Sequence, residues 1–102
     1  NSHFFLNMKE TAFILNLSRG AVINENDLEQ ALENNIIGGA GLDVTTIEPL
    51  SMTSRLLAHK NVIITPHALC WTDECFNDIA TEAINSILNF VDKKPILNQV
   101  NF

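Results

Sequence analysis

The chain has 102 residues, of which 46% are hydrophobic and 18% are charged, a composition ordinary for one globular unit. Its net charge is −6, and the basic residues form no patch that could neutralise consecutive phosphates, which excludes nucleic acid as a partner. Apolar runs of only a few residues exclude a bilayer span, and the N-terminus lacks a signal-peptide pattern. We therefore expect a cytoplasmic protein that does not associate with membranes.

The first part of the chain predicts a strand, a helix and a second strand. A helix end at residues 3–8 precedes residues 11–17 (TAFILNL), an apolar run that predicts a strand buried on both faces. Asn24 is a good helix N-cap, acidic residues crowd the first turns, and the helix should stop near Asn34 and Asn35. Residues 36–44 (IIGGAGLDV) predict a second strand, whose glycines indicate that another group approaches the backbone closely.

The second part of the chain predicts a third strand and a long helix. Residues 45–60 form a polar connection with a short helical turn at 54–57, and residues 61–65 (NVIIT) predict a strand that Pro66 ends. From Thr72 onward, apolar residues recur at steps of three and four, which predicts a helix over residues 72–94 and then a short tail. The alternation of strands and helices indicates an α/β layer fold with a parallel sheet.

Residues with chemical capacity follow each predicted strand. Arg19 follows the first strand, Asp43 and then Glu48 follow the second, and His67 follows the third. In open parallel sheets, ligands bind at the carboxyl ends of the strands, because the loops there converge on a rigid scaffold. Each residue alone is more often a surface charge or a cap, but four at one sheet edge indicate a candidate active site.

Two cysteines, Cys70 and Cys75, lie five residues apart with neither a CxxC spacing nor a second pair. This pattern predicts neither a disulfide framework nor a zinc site. A metal site formed by His67 with both cysteines would lack a fourth ligand, and Cys75 should lie on a helix. We therefore interpret both as reduced thiols and predict no bound metal.

Three segments resemble the motifs of one enzyme family. Residues 16–22 (NLSRGAV) resemble N-x-[AS]-R-G-x-x-V, and residues 61–67 (NVIITPH) resemble N-V-x-x-T-P-H. Residues 39–44 (GAGLDV), with Glu48 and Pro49 after them, resemble G-A-x-L-D-V-F-x-x-E-P. These are motifs of the D-isomer-specific 2-hydroxyacid dehydrogenases, which include phosphoglycerate dehydrogenase. Thr45 departs from the aromatic residue often found there, which leaves the shape of the pocket and the substrate open.

The resemblance implies catalytic roles for Arg19, Glu48 and His67. The histidine would act as general acid/base on the carbonyl oxygen of a 2-oxo acid while nicotinamide delivers hydride to the carbon. Imidazole suits this work because it titrates near physiological pH. Glu48 would hold the imidazole, and Arg19 would bind the substrate's carboxylate or carbonyl oxygen through its planar fork.

The resemblance also implies a set of cofactor-binding residues, with NAD as the expected cofactor and NADP left open. Asp43 would hydrogen-bond the nicotinamide carboxamide, although a carboxylate that caps the loop after the second strand is the alternative. The glycines of the second strand are interpreted as packing glycines, since they do not form G-x-G-x-x-G. The expected cofactor contacts are Leu17, Ser18, Arg19, Asp43, His67, Ala68, Leu69 and Cys70.

The expected fold is half of a Rossmann-like doubly wound parallel sheet: a βαβ unit, a third strand and a long C-terminal helix. Residues 1–102 would be the C-terminal part of an NAD(P)-binding domain, with the glycine-loop half and the substrate domain absent. The predicted function is hydride transfer between NAD(P) and a small D-2-hydroxy acid, carried out by a homodimer, and the isolated fragment should be inactive. The alternative is a dinucleotide-sensing or corepressor-like binding module without turnover.

Overall fold

A computed structural model describes residues 2–100 of the chain. The chain divides into two compact units, residues 1–69 and residues 70–102. Among the described residues, no helix is both long and apolar enough to cross a membrane. The residues at the three predicted strand ends all lie in the first unit, whereas Cys70 and the long helix belong to the second.

The first unit is built on a three-stranded parallel sheet with the order β1-β2-β3. In the register, Phe13 pairs with Gly39 and Ala40 pairs with Val62. The predicted α/β fold with a parallel sheet is confirmed, and each strand is shorter than predicted. The elements are α1 (Ser2–Phe5), β1 (Phe13–Asn16), α2 (Glu25–Glu33), β2 (Gly39–Leu42) and β3 (Val62–Ile64), with 3-10 turns at Gly20–Val22 and Arg55–Ala58.

Helix α2 begins and ends as its sequence dictates. The Asn24 side chain accepts a hydrogen bond from the backbone N–H of Asp27, so the predicted N-cap is confirmed. At the other end Asn35 has a left-handed φ of 53°, and the N–H of Ile36 donates to the carbonyl of Ala31 at 2.8 Å. This Schellman ending delays the start of β2 to Gly39, three residues later than predicted.

The core lies between one face of the sheet and the helices of the first unit. Helix α2 contributes three buried residues, β2 contributes two, and the remainder come from α1 and the loops. Burying a leucine, isoleucine or phenylalanine side chain stabilises a fold by about 1.5 to 3 kcal/mol. The cluster consists of Phe5, Leu28, Ala31, Leu32, Ile37, Ala40, Leu42 and Leu56.

The prediction that β1 is buried on both faces is wrong. Phe13 and Leu15 are 63% and 68% exposed on the face that the core does not cover. A Cβ added at Gly39 would lie 2.5 Å from the Phe13 ring, and one at Gly41 would lie 2.6 Å from Leu15. The two glycines therefore make room for β1 side chains, which confirms their interpretation as packing glycines. An apolar run cannot reveal which of its faces finds a partner.

The second unit consists of helix α3 (Asp73–Val91) and a tail. The Thr72 side chain accepts a hydrogen bond from the N–H of Cys75 at 3.1 Å, so the predicted N-cap is confirmed. The helix ends earlier than residue 94 because Lys93 takes a left-handed φ of 56° and the N–H of Lys94 bonds the carbonyl of Asn89. No residue of α3 is buried. The last two residues of the predicted tail lie outside the described residues.

Candidate active site

A buried asparagine shapes the loop after β1. The Asn16 side chain donates to the carbonyl of Arg19 at 2.9 Å and accepts from the backbone N–H of Ser18 at 3.3 Å. These bonds turn the chain sharply at the end of the strand. The exposed Arg19 guanidinium donates to the carbonyl of Ser18 at 2.7 Å. The turn thus presents Arg19 at the carboxyl edge of the sheet, with most of its five N–H donors available to a ligand.

Gly20 brings this loop against the loop that follows β2. A Cβ at Gly20 would lie 2.1 Å from both the carbonyl carbon and the oxygen of Thr45. Real Cβ atoms do not approach backbone so closely, so any other residue would force the two loops apart. The Arg-Gly pair therefore combines an exposed cation with the one residue that permits this contact.

The loop after β2 holds Glu48 in place. The backbone N–H of Thr45 donates to Glu48 Oε1 at 3.1 Å, and the Thr45 hydroxyl donates to the carbonyl of Ile47 at 2.9 Å. The other carboxylate oxygen, Oε2, lies 2.8 Å from Nδ1 of His67. Both oxygens of Glu48 are therefore engaged, which fixes the orientation of its carboxylate.

Helix α2 holds the same loop from its other side. Glu25 accepts a hydrogen bond from the N–H of Thr46 in this loop, and two further glutamates at helical spacing contact the 3-10 turn that follows the loop. Arg55 contacts Glu29 at 3.4 Å and Glu33 at 3.0 Å. Because residues four apart share one face of a helix, this row of acids fastens the segment that carries Glu48 at two points.

Asp43 organises the loop that carries His67. The residue is 4% exposed, and its carboxylate accepts three hydrogen bonds. The Thr65 hydroxyl donates to Oδ1 at 2.6 Å, the N–H of Ala68 donates to Oδ1 at 3.0 Å, and the N–H of Leu69 donates to Oδ2 at 3.2 Å. The alternative role considered for Asp43 was a cap of the loop after the second strand, whereas these contacts hold the loop after β3. The nicotinamide contact stays a prediction.

Hydrogen bonds keep both carboxylates ionised. The hydrogen bond from His67, followed by that from the Thr45 N–H, lowers the pKa of Glu48. The hydrogen bond from the Thr65 hydroxyl is the main cause that lowers the pKa of Asp43, and it outweighs the opposing effect of burial. The site therefore presents two negative charges beside one imidazole.

The described hydrogen bond of the His67 ring is at Nδ1, so Nε2 is available to a ligand. The residue has a left-handed φ of 52°, and its ring borders a cavity of about 530 Å³. That cavity has apolar walls formed by residues that include Leu50, Leu57 and Ile64. An ionisable ring at the rim of an apolar cavity can exchange a proton with a bound molecule.

Some of the predicted site residues are in direct contact, and others are not. Glu48 and His67 are in direct contact, whereas Arg19 reaches their loop only through Gly20, and no contact between its guanidinium and either side chain is described. Ala68 and Leu69 take part through backbone amides that bind Asp43.

The remaining predicted cofactor residues are divided between the two units. Leu17 and Ser18 line a separate cavity of about 740 Å³ beside β1. Cys70 is an exposed free thiol in the second unit. Cofactor contacts at all these positions stay predictions.

Four residues to which the sequence analysis gave no supporting role hold the site in place: Asn16, Gly20, Thr45 and Thr65. Three of them were visible as fixed letters of the motifs, the N and G of N-x-[AS]-R-G and the T of T-P-H. Reading each motif letter for its hydrogen-bonding or steric role could have found them. Thr45 acts mainly through its backbone N–H, which every residue except proline has, so its side chain carried no such signal.

The sequence of the chain is similar to the sequences of known proteins. Residues 1–68 match the family model described as D-isomer specific 2-hydroxyacid dehydrogenase, NAD binding domain. The chain is 42% identical over 100 residues to the human glyoxylate reductase/hydroxypyruvate reductase, covering 98% of this chain and 30% of that protein. It is 41% identical over 101 residues to the D-3-phosphoglycerate dehydrogenase of Synechocystis, covering 99% of this chain and 18% of that protein.

Solved structures give the same result. A D-isomer specific 2-hydroxyacid dehydrogenase from Xanthobacter autotrophicus, crystallised with NADPH and MES, superposes with a TM-score of 0.76 at 33% identity, covering 99% of this chain and 41% of that one. A probable 2-hydroxyacid dehydrogenase from Rhizobium etli, crystallised with NADP, superposes with a TM-score of 0.81 at 28% identity, covering 99% and 33%. The chain thus spans less than half the length of these relatives. It belongs to the D-isomer-specific 2-hydroxyacid dehydrogenase family, whose NAD-binding domain its residues 1–68 match.

Proposed function

We propose that this chain supplies the proton-transfer pair and the substrate anchor of an NAD(P)-dependent oxidoreductase that interconverts D-2-hydroxy acids and 2-oxo acids. Residues 1–102 would form the C-terminal part of its NAD(P)-binding domain. The observation that carries the proposal is the 2.8 Å contact between Nδ1 of His67 and Oε2 of Glu48 at the sheet edge where Arg19 also lies. A pair of this kind is the usual apparatus for general acid/base catalysis.

The contact determines which nitrogen of His67 exchanges the proton. An ionised carboxylate can only accept hydrogen bonds, and a lowered pKa keeps Glu48 ionised. Nδ1 therefore carries the hydrogen in the neutral ring, and Nε2 presents its lone pair outward. Protonated at Nε2, His67 gives a proton to the carbonyl oxygen of the 2-oxo acid, and in the reverse direction Nε2 takes it back from the hydroxyl.

The Arg19 guanidinium suits the carboxylate that every 2-oxo acid carries. Its planar fork can donate two parallel hydrogen bonds, which fixes the orientation of the substrate as well as its position. Because Arg19 is the cation of this sheet edge and Glu48 and Asp43 are anions, the substrate's negative charge is drawn to the arginine side. The reacting carbonyl is then directed toward His67.

The residues beside β1 fit a dinucleotide's nicotinamide end. The 740 Å³ cavity there lies within the usual range for ligand pockets, about 300 to 1,000 Å³, and combines apolar walls with the polar Ser18. Leu17 and Ser18 would line the ring, and the loop at Ala68 and Leu69 would close the site. A bound nicotinamide supplies or accepts the hydride at the carbon that bears the reacting oxygen.

The partner and the location belong to the same proposal. The exposed apolar side chains Phe13, Leu15 and Ile63 on one face of the sheet support association into a homodimer or with further parts of the enzyme. The free thiols of Cys70 and Cys75 support a reducing compartment, the cytoplasm. The substrate is a small 2-hydroxy or 2-oxo acid.

A chimeric enzyme tests this function. We call this enzyme the human chimera: it is human glyoxylate reductase/hydroxypyruvate reductase in which this chain replaces the segment that aligns with it. Arg19, Glu48 and His67 of the chimera therefore come from this chain. We expect NAD(P)H-dependent reduction of glyoxylate or hydroxypyruvate, lost in the His67→Ala variant. A folded chimera that binds the dinucleotide without turnover would instead support the alternative, a dinucleotide-sensing module.

A further inference from the structure

We propose that Thr65 is a positioning residue of the site: its hydroxyl binds Asp43 and thereby holds the loop that carries His67 in the conformation that places Nδ1 on Glu48. The expected effect on catalysis rests on the proposed function, whereas the expected effect on the loop rests on the hydrogen bonds alone. It assigns to Thr65 a task that neither the motif resemblance nor the ordinary role of a strand-end threonine requires.

The contacts form a closed bracket around the histidine. Thr65 lies two residues before His67, and Ala68 and Leu69 lie immediately after it. All three donate to the same buried carboxylate, Asp43, with the Thr65 hydroxyl giving the shortest bond at 2.6 Å. The backbone N–H of Thr65 also donates to the carbonyl of Leu42 at 2.9 Å, which anchors the first arm of the bracket to the sheet.

The backbone of His67 needs such a bracket. Its φ of 52° lies in the left-handed region, which is unfavourable for a residue with a Cβ relative to right-handed conformations. A strained conformation of this kind persists when surrounding contacts fix it. The N–H of His67 donates to the carbonyl of Thr65 at 3.0 Å, so the strained residue is bonded directly to the backbone of the threonine.

Two substitutions separate the hydroxyl from the rest of the side chain. Thr65→Val keeps the shape and removes the donor, which leaves Oδ1 of Asp43 with the N–H of Ala68 as its described partner. Thr65→Ser keeps the donor and removes the methyl group. If the hydroxyl holds the loop, only the valine variant should release it. A role in packing alone would make the serine variant the worse of the two.

Amide hydrogen exchange in the 102-residue chain is the direct test. In Thr65→Val, exchange at the N–H groups of Ala68 and Leu69 should accelerate by about tenfold or more, because they lose the fixed acceptor. Exchange at Leu28, in the core, should not change, and Thr65→Ser should behave as wild type. The pKa of Asp43 should also rise in Thr65→Val. Unchanged exchange at Ala68 and Leu69, or equal acceleration at Leu28, would overturn the proposal.

The human chimera measures the catalytic consequence. Thr65→Val should lower kcat by roughly 10- to 100-fold through misplacement of the imidazole, with KM for the dinucleotide unchanged and activity restored in Thr65→Ser. A valine variant that keeps full kcat would contradict the positioning role. If the chimera with Thr65 in place is folded but inactive, the proposed function fails, while the exchange experiment still decides whether the bracket exists.

Discussion

The loops after β1 and β3 both carry a residue of the proposed chemistry, and they are held very differently. His67 lies in a bracket of three hydrogen bonds to Asp43, and its ring is fixed by Glu48. Arg19 lies on a turn whose backbone is held by Asn16, but its guanidinium contacts only the neighbouring carbonyl of Ser18 among the described residues. The proposed proton-transfer pair is therefore preorganised, whereas the guanidinium of the proposed substrate anchor is not fixed by another side chain of the described residues.

This difference follows from what each group must do. A proton moves efficiently only when donor and acceptor are held within hydrogen-bond distance, so the imidazole gains from a rigid setting. A guanidinium that captures a carboxylate needs charge and a planar fork, and its long side chain can adjust as the ligand arrives. We expect substitutions at His67 to act mainly on kcat and substitutions at Arg19 mainly on KM.

The largest effect is expected for His67→Ala in the human chimera. Turnover should fall by roughly 10² to 10⁴ while dinucleotide affinity stays near normal, as for the loss of a general acid/base. Steady-state kinetics together with a fluorescence titration of NADH separates the two quantities. His3→Ala, at an exposed helix position, is the matched control and should leave both unchanged. A His67→Ala enzyme that keeps most of its activity would contradict the assignment.

The next effect in size is expected at Arg19. Arg19→Ala should raise KM for the oxo acid by roughly 10- to 100-fold, the range that corresponds to losing hydrogen bonds to a charged group. Arg19→Lys should recover part of that loss, because it restores the charge but not the fork. Substrate saturation curves measure both. A fall in kcat of the same factor with KM unchanged would mean that the arginine is as firmly placed as the histidine.

Gly20→Ala tests whether the two loops touch. Its Cβ would lie 2.1 Å from the carbonyl of Thr45, so the loops must separate, at a cost of about 1 to 3 kcal/mol in the free energy of unfolding. Urea denaturation of the chain measures this cost. Ala21→Ser, at the exposed neighbouring position, should change stability by less than about 0.5 kcal/mol. Equal stability of the two variants would show that the contact is not required.

The smallest effect concerns the charge of Glu48. Because its folded-state pKa is lowered, its contribution to stability is present above the unfolded pKa and is lost as pH falls through the folded pKa. Removing the His67 hydrogen bond in His67→Ala should raise the pKa of Glu48 toward its ordinary value, so this contribution to stability should become smaller and its loss should be complete at a higher pH. Carbon-detected NMR titration of the side-chain carboxyl measures this. The pKa of Asp43 should change less than that of Glu48, since His67 is the weakest cause of the lowered pKa of Asp43.

The elements of the fold were predictable from the sequence because local signals specify them. The Asn24 and Thr72 caps, the apolar spacing of α2 and α3, and the strand-helix alternation each arise within a few residues. The exact ends of the strands were not predictable, because Asn16 turns the chain through its hydrogen bonds and Asn35 through its backbone angle. Patterns of apolar residues do not contain this information. Exposure of one face of β1 depends on distant neighbours, which the local sequence does not specify.

The candidate site divides in the same way. Arg19, Glu48 and His67 were identified from strand ends and motif spacing, and the Glu48–His67 contact agrees with the role that the resemblance implied. The carboxylate of Asp43 accepts hydrogen bonds from the backbone N–H groups of Ala68 and Leu69, which lie 25 and 26 positions later in the chain. Such a contact follows from the parallel register of β2 and β3, and a sequence pattern gives neither that register nor the direction of a carboxylate.

The tautomer of His67 tests the central claim most directly. Nitrogen-15 NMR of the imidazole distinguishes a protonated Nδ1 from a protonated Nε2 at a pH where the ring is neutral. The contact with Glu48 predicts the hydrogen on Nδ1, with Nε2 as the unprotonated nitrogen, and Glu48→Ala should abolish this preference. A neutral ring protonated at Nε2 in the wild-type chain would contradict the account, because Nδ1 could then not donate to Glu48.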